Sequence, residues 1–134
     1  MNINNTDGII EGINNVSGDL RSELDTIKIV TIEKIFFAVA ASDEYFFTLY
    51  APCSGTMLSC TQKALSFTTA GTYTVKINST DVGGLSTVTN STTLTTTNAT
   101  SANAFSISNT IKVVFSAAVV LGVNVEFTLR YQIN

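Results

Sequence analysis

The twelve residues Val123–Asn134 (VNVEFTLRYQIN) alternate apolar and polar side chains without a break. Val123, Val125, Phe127, Leu129, Tyr131 and Ile133 fall on one side, and Asn124, Glu126, Thr128, Arg130, Gln132 and Asn134 on the other. Successive side chains of an extended strand point to opposite faces. A period of two held this long therefore predicts a β-strand with one buried face. Burying six such side chains contributes on the order of 10 kcal/mol before the entropy of ordering them is subtracted. A slip of one residue would put all six in water, so the register is strongly fixed. Such a strand needs a core to pack on.

The same rhythm recurs upstream. Tyr73, Val75 and Ile77 alternate with Thr74, Lys76 and Asn78 after a turn at Ala70-Gly71. Tyr45–Tyr50 (YFFTLY) reads as a buried aromatic strand after the polar turn Ser42-Asp43-Glu44. Across Ile29–Phe37 the alternation is looser, with Val30, Ile32 and Ile35 separated by Thr31 and Glu33. Ile111–Phe115 is a further strand; Met57–Leu65 and Ser91–Thr97 are weaker ones, the last almost all Thr and so expected at an exposed edge. Composition agrees, since Thr and Ser make up about a quarter of the 134 residues and charged residues only 13%. β-branched Thr suits a half-buried pleated surface, whereas a helical chain of this size would normally carry more Glu, Lys, Ala and Arg. Seven or eight short strands separated by turns predict an all-β fold for residues 29–134, an antiparallel β-sandwich of jelly-roll type.

Residues 1–28 differ in kind. A heptad with position a at Ile3, Ile10, Ser17 and Leu24 places Thr6, Ile13, Leu20 and Ile27 at position d, and six of these eight are apolar. Gly8, Gly12 and Gly18 interrupt the first half, so a helix is expected only over Asp19–Ile27, with Asp19 as its cap. Nine residues make a marginal helix in water, and the stripe must pack on something. It packs either on its own domain or on copies of itself. The second reading is favoured: Ile10, Ile13, Leu20, Leu24 and Ile27 line a short helical or extended stalk, which joins three chains and attaches the domain to a larger body.

The chemistry of catalysis is missing. With no His, the commonest general base and the Ser-His and Cys-His pairs are unavailable. Asp and Glu occur singly or as the pair Asp43-Glu44, expected in a solvated turn, and Asp81 before Val82-Gly83-Gly84 reads as turn chemistry. Gly83-Gly84 lacks the Lys-Ser/Thr of a phosphate loop. Cys53 and Cys60, with no CxxC, are expected to be free thiols, buried or half-buried. No cofactor and no metal is expected. Seven basic residues spread singly give no stripe for phosphates, so no nucleic-acid partner is expected. No apolar run approaches the roughly 20 residues that span a bilayer, and MNINNTDG lacks the pattern of a signal peptide. Glu126 and Arg130, four apart on the polar face of the last strand, are expected to pair with a neighbouring strand or subunit and not with each other.

The stalk GDLRSELDTI leads directly into FFAVAASDEYFFTLYAP, followed by GTMLSCTQKAL, TYTVKIN, the polar run TTLTTTNATSANAFSIS and the close IKVVFSAAVVLGVNVEFTLRYQI. This order resembles a family of small tailed-bacteriophage virion proteins, comprising head fibres, capsid decoration proteins and related fibre tips. The resemblance covers nearly the whole chain. It implies a non-enzymatic homotrimer assembled in the host cytoplasm into the virion. Its N-terminus would meet a major capsid, portal, neck or tail protein, and its β-domain would face outward. It also implies an alternative role, in which a fibre tip reads host-surface glycan through Thr- and Asn-rich loops.

Overall fold

The computed structural model describes residues 28–40, 42–67, 69–116 and 123–134. The five stalk positions Ile10, Ile13, Leu20, Leu24 and Ile27, and the helix expected over Asp19–Ile27, lie outside these residues. Every element described is a strand: β1 (Ile29–Val39), β2 (Glu44–Thr48), β3 (Gly55–Ala64), β4 (Thr72–Ile77), β5 (Thr80–Asp81), β6 (Val88–Thr89), β7 (Thr95–Asn98), β8 (Ala104–Phe105), β9 (Ile111–Phe115) and β10 (Val123–Ile133).

The strands form two antiparallel sheets. Sheet A runs β1-β10-β3-β7, with β8 also on β3, and sheet B runs β2-β9-β4-β5, with β6 also on β4. β5 and β6 occupy one edge position in two pieces, because β5 pairs with the end of β4 at Lys76–Ile77 and β6 with its start at Thr72–Tyr73. β7 and β8 divide the opposite edge of sheet A in the same way. Counted by position, this is an eight-place jelly roll, in which the chain crosses repeatedly between two facing sheets. Of all the hydrogen-bonded neighbours, only β4 and β5 follow each other in sequence.

The core lies between the sheets, and Phe127 is at its centre. Its ring is fully buried and meets Phe36 (centroids 5.7 Å apart), Phe47 (5.7 Å), Tyr73 (5.1 Å) and Phe115 (5.9 Å). Three of these four come from sheet B, so a single side chain joins the two layers. Val125, Leu129 and Tyr131 are buried beside it, and Ile133 is half-buried at the end of the strand. β10 lies between β1 and β3, with Phe127 opposite Lys34 on one side and Gln62 on the other. An interior strand with both neighbours in place is where an unbroken period of two gains most.

Three expectations need correction. In β1 the inward set is Val30, Ile32 and Phe36, while Ile35 is 53% exposed. The period of two leaves no choice: Ile35 shares its parity with Thr31 and Glu33, and it stands opposite the outward Glu126. YFFTLY is not buried along its length. Phe47 is buried and Tyr45 half-buried, but Phe46 is on the outer face, and Leu49 and Tyr50 have left the strand for solvent. Gly55–Ala64, weak in sequence, is a ten-residue interior strand of sheet A. Its pattern is broken by a bulge at Leu58, since Arg130 pairs with Ser59 but Tyr131 with Met57.

Gly55 at the start of β3 shows how tightly the sheets close. A Cβ there would lie 2.6 Å from the carbonyl oxygen of Gln132 and 2.6 Å from the ring of the buried Phe105. Gly55→Ala is expected to cost about 1–3 kcal/mol, the usual range for overpacking, read as a lower urea midpoint with an unchanged slope. An unchanged midpoint would mean that the β3–β8 contact is looser than described.

Candidate interaction surface

The titratable groups of the interior are poor catalysts. Burial pushes the Cys60 thiol up to about 12 against an ordinary 9.0, with the Tyr73 hydroxyl partly opposing the shift through a hydrogen bond. A thiol held protonated at neutral pH is a weak nucleophile. Tyr73 and Tyr131 are likewise raised, each mainly by burial. Cys53 and Cys60 are both free, the first half-buried and the second buried. Among the described residues no three of Cys, Asp and Glu gather as a metal site.

The two outer faces differ in how their charges are used. On sheet B, Lys112 reaches Glu44 at 2.8 Å, and Lys76 grips Asp81, whose other oxygen accepts from Ser86. The Lys76 hydrogen bond is the main reason the Asp81 carboxyl is held below its usual range. Glu44 therefore opens a strand and pairs across it, and Asp81 closes a hairpin whose turn residue Asn78 takes a positive φ of 54°. On sheet A, Glu126 stands opposite Ile35 and Lys63, and Arg130 opposite Thr31 and Ser59. Among the described residues, neither finds an ion-pair partner on a neighbouring strand. Sheet B satisfies its own charges; sheet A presents its charges outward.

Exposed apolar side chains gather on that same face of sheet A. Ile35 (53% exposed) and Phe37 (68%) project from β1, and Leu65 (75%) follows the end of β3. A shallow groove lined by Ile35, Lys63, Leu65, Asn124 and Glu126 runs beside a second one lined by Glu33, Lys34, Ile35, Phe37 and Glu126. The two share Ile35 and Glu126. An apolar centre ringed by charges of both signs has the makings of a protein contact. Sequence reasoning missed it by grouping Ile35 with Val30 and Ile32 in a loose alternation; counting parity from Thr31 and Glu33 would have placed both Ile35 and Phe37 outside.

Among the described residues, β1 is also the longest edge without a further strand beside it. The other edge positions hold strands of five, four or two residues, whereas β1 runs for eleven. Ile133 N donates to Lys28 O at 2.8 Å, so in this antiparallel pair Val30, Ile32 and Lys34 turn their peptide groups to β10. Those of Ile29, Thr31, Glu33 and Ile35 face away from it. The expected Thr-rich edge is present as β7, at the opposite side of the sheet, where Thr61 and Thr96 share a hydroxyl hydrogen bond of 2.7 Å.

No family model matches the chain, and no curated protein does. Among solved structures, a chain of the cyanophage Pam1 capsid asymmetric unit superposes with a TM-score of 0.52 at 14% identity, over 79% of this chain and 84% of its own. A chain from the Bacillus endospore appendages, described as disulfide-linked pili, has a TM-score of 0.30 at 16% identity, over 79% of this chain and 89% of its own. The first is a likeness of fold; the second is too distant to carry weight.

Proposed function

We propose that the chain is a non-enzymatic structural protein of a tailed-bacteriophage virion, a trimeric head fibre or capsid decoration protein. Residues 1–28 attach it to a capsid, portal, neck or tail protein and help join three copies, and residues 29–134 stand outward. The observation that carries this is the jelly roll itself, shared with a chain of a phage capsid asymmetric unit over 79% of this chain. The chemistry agrees: no His is present, the buried Cys60 thiol is held protonated, and the open features are surfaces. Lys28 and Asn134 lie together at one end, since Ile133 N bonds Lys28 O and Asn134 N bonds Ser54 O. A stalk continuing from Lys28 leaves the far end to face outward, where Asp43 meets Phe115, Leu65 meets Asn124 and Gly71 meets Asn90.

The test is to image the particle. Gold-labelled antibody raised against the full chain should decorate purified virions, and virions lacking the chain should lose the matching density. The density should sit on the particle with the Lys28 end innermost. Purified virions free of the chain by mass spectrometry would overturn the proposal.

A further inference from the structure

We infer that the outward face and open edge of β1, with Lys63, Leu65 and Glu126 beside them, form the surface on which a second copy of this chain docks. The inference rests on the homotrimer proposed above and names its contact within the folded domain.

Three observations converge on that occupant. The first is the strand edge. An eleven-residue edge with outward-turned peptide groups is a liability that folded proteins normally blunt, as this one does at its other edges with strands of five residues or fewer. Among the described residues no strand covers this one long edge, which is consistent with its being covered in the assembled state. The second is charge. Glu33, Lys34, Lys63 and Glu126 around the apolar centre sum to zero, in a chain whose net charge is −3. A strongly charged partner gains nothing from such a rim. A second copy brings the same mixture, and rotation about a symmetry axis can set Lys against Glu.

The third is the path of the chain. Ile27 is the last d position of the heptad pattern and Ile29 the first residue of β1. Two residues of chain span at most about 7 Å. Heptads that gather copies around an axis therefore deliver every β1 beside that axis, and the strand then carries Ile29, Ile35 and Phe37 along one outward face. Leu49, Tyr50 and Ile107 are as exposed as these, but they sit on loops with no open strand edge.

The experiment is light scattering on the full chain after size exclusion. Wild type is expected at about 43 kDa, three times the 14.3 kDa chain. The double variant Ile35→Asp/Phe37→Asp is expected to fall toward the single-chain mass while keeping its β circular dichroism, because both side chains are already mostly in solvent. Phe37→Lys alone should raise the concentration of half-dissociation at least tenfold. Ile107→Asp, an equally exposed site on a loop away from β1, should change nothing. If the double variant loses its β spectrum, Ile35→Ser makes the same test more gently. A double variant that stays folded at the wild-type mass overturns the inference and leaves the trimer standing, as does dissociation by Ile107→Asp alone. A wild-type chain that is monomeric at every concentration overturns the trimer itself.

Discussion

Phe127→Asp is expected to yield a chain that does not fold, and Phe127→Ala to lose about 3–5 kcal/mol of stability. Phe127 is fully buried, and its ring touches four others, Phe36 in its own sheet and Phe47, Tyr73 and Phe115 across the core. Alanine leaves a cavity at the point where the layers meet, and aspartate buries a charge among rings that cannot pair with it. Urea unfolding followed by circular dichroism measures the first, and solubility with the loss of the β spectrum reports the second. On the other face of the same strand, Glu126→Ala and Arg130→Ala should shift the urea midpoint little, since neither has an ion-pair partner among the described residues. A soluble Phe127→Asp with a native spectrum would mean that the strand faces the other way.

Alkaline pH is expected to destabilise the fold strongly, and Cys60 is a main reason. Its thiol is protonated in both folded and unfolded chains below pH 9.0, so the full stability is present there. Above 9.0 the unfolded thiol ionises while the native one, pushed up to about 12 by burial, keeps its proton. The unfolded state then binds fewer protons, and stability falls as pH rises through this window. At a pH of about 10.5 the loss from this group alone is about 2 kcal/mol, from 1.36 kcal/mol for each unit above the unfolded value. The Tyr73 hydroxyl, also raised chiefly by burial, acts in the same direction at higher pH. Urea unfolding under reductant at a pH of about 7.5 and about 10.5 checks this. The drop in the wild type should shrink by about 2 kcal/mol in Cys60→Ala. A variant that loses as much stability as the wild type between the two pH values would place the effect elsewhere.

Much of the fold was legible because it is local. The period of two in Val123–Ile133, Thr72–Ile77 and Ile111–Phe115 marks strands with an inner and an outer face, and it needs only neighbouring residues to do so. The weaker cases failed for physical reasons. β3 lacks a clean alternation because a bulge at Leu58 resets its parity and because Gln62, buried in the interior, accepts from Ser91 N at 3.0 Å. YFFTLY looked uniformly buried because aromatic content hides the point where the strand stops, at Thr48.

The sequence by itself determined that this chain is built of strands and which face of most strands is apolar. Its lack of His and of basic clusters also removed the common routes to catalysis and to phosphate binding. Tertiary structure decided everything that depends on partners far apart in the chain. Ile29 pairs with Gln132, Glu44 with Val114 and Tyr73 with Phe115, and no local signal carries those pairings. Among the described residues, they place Lys63 and Glu126 beside Ile35, Phe37 and Leu65, leave β1 as a long edge strand, and seal Cys60 against water. A side chain's direction follows from its parity in the strand, but what it meets there is fixed only when the sheets close.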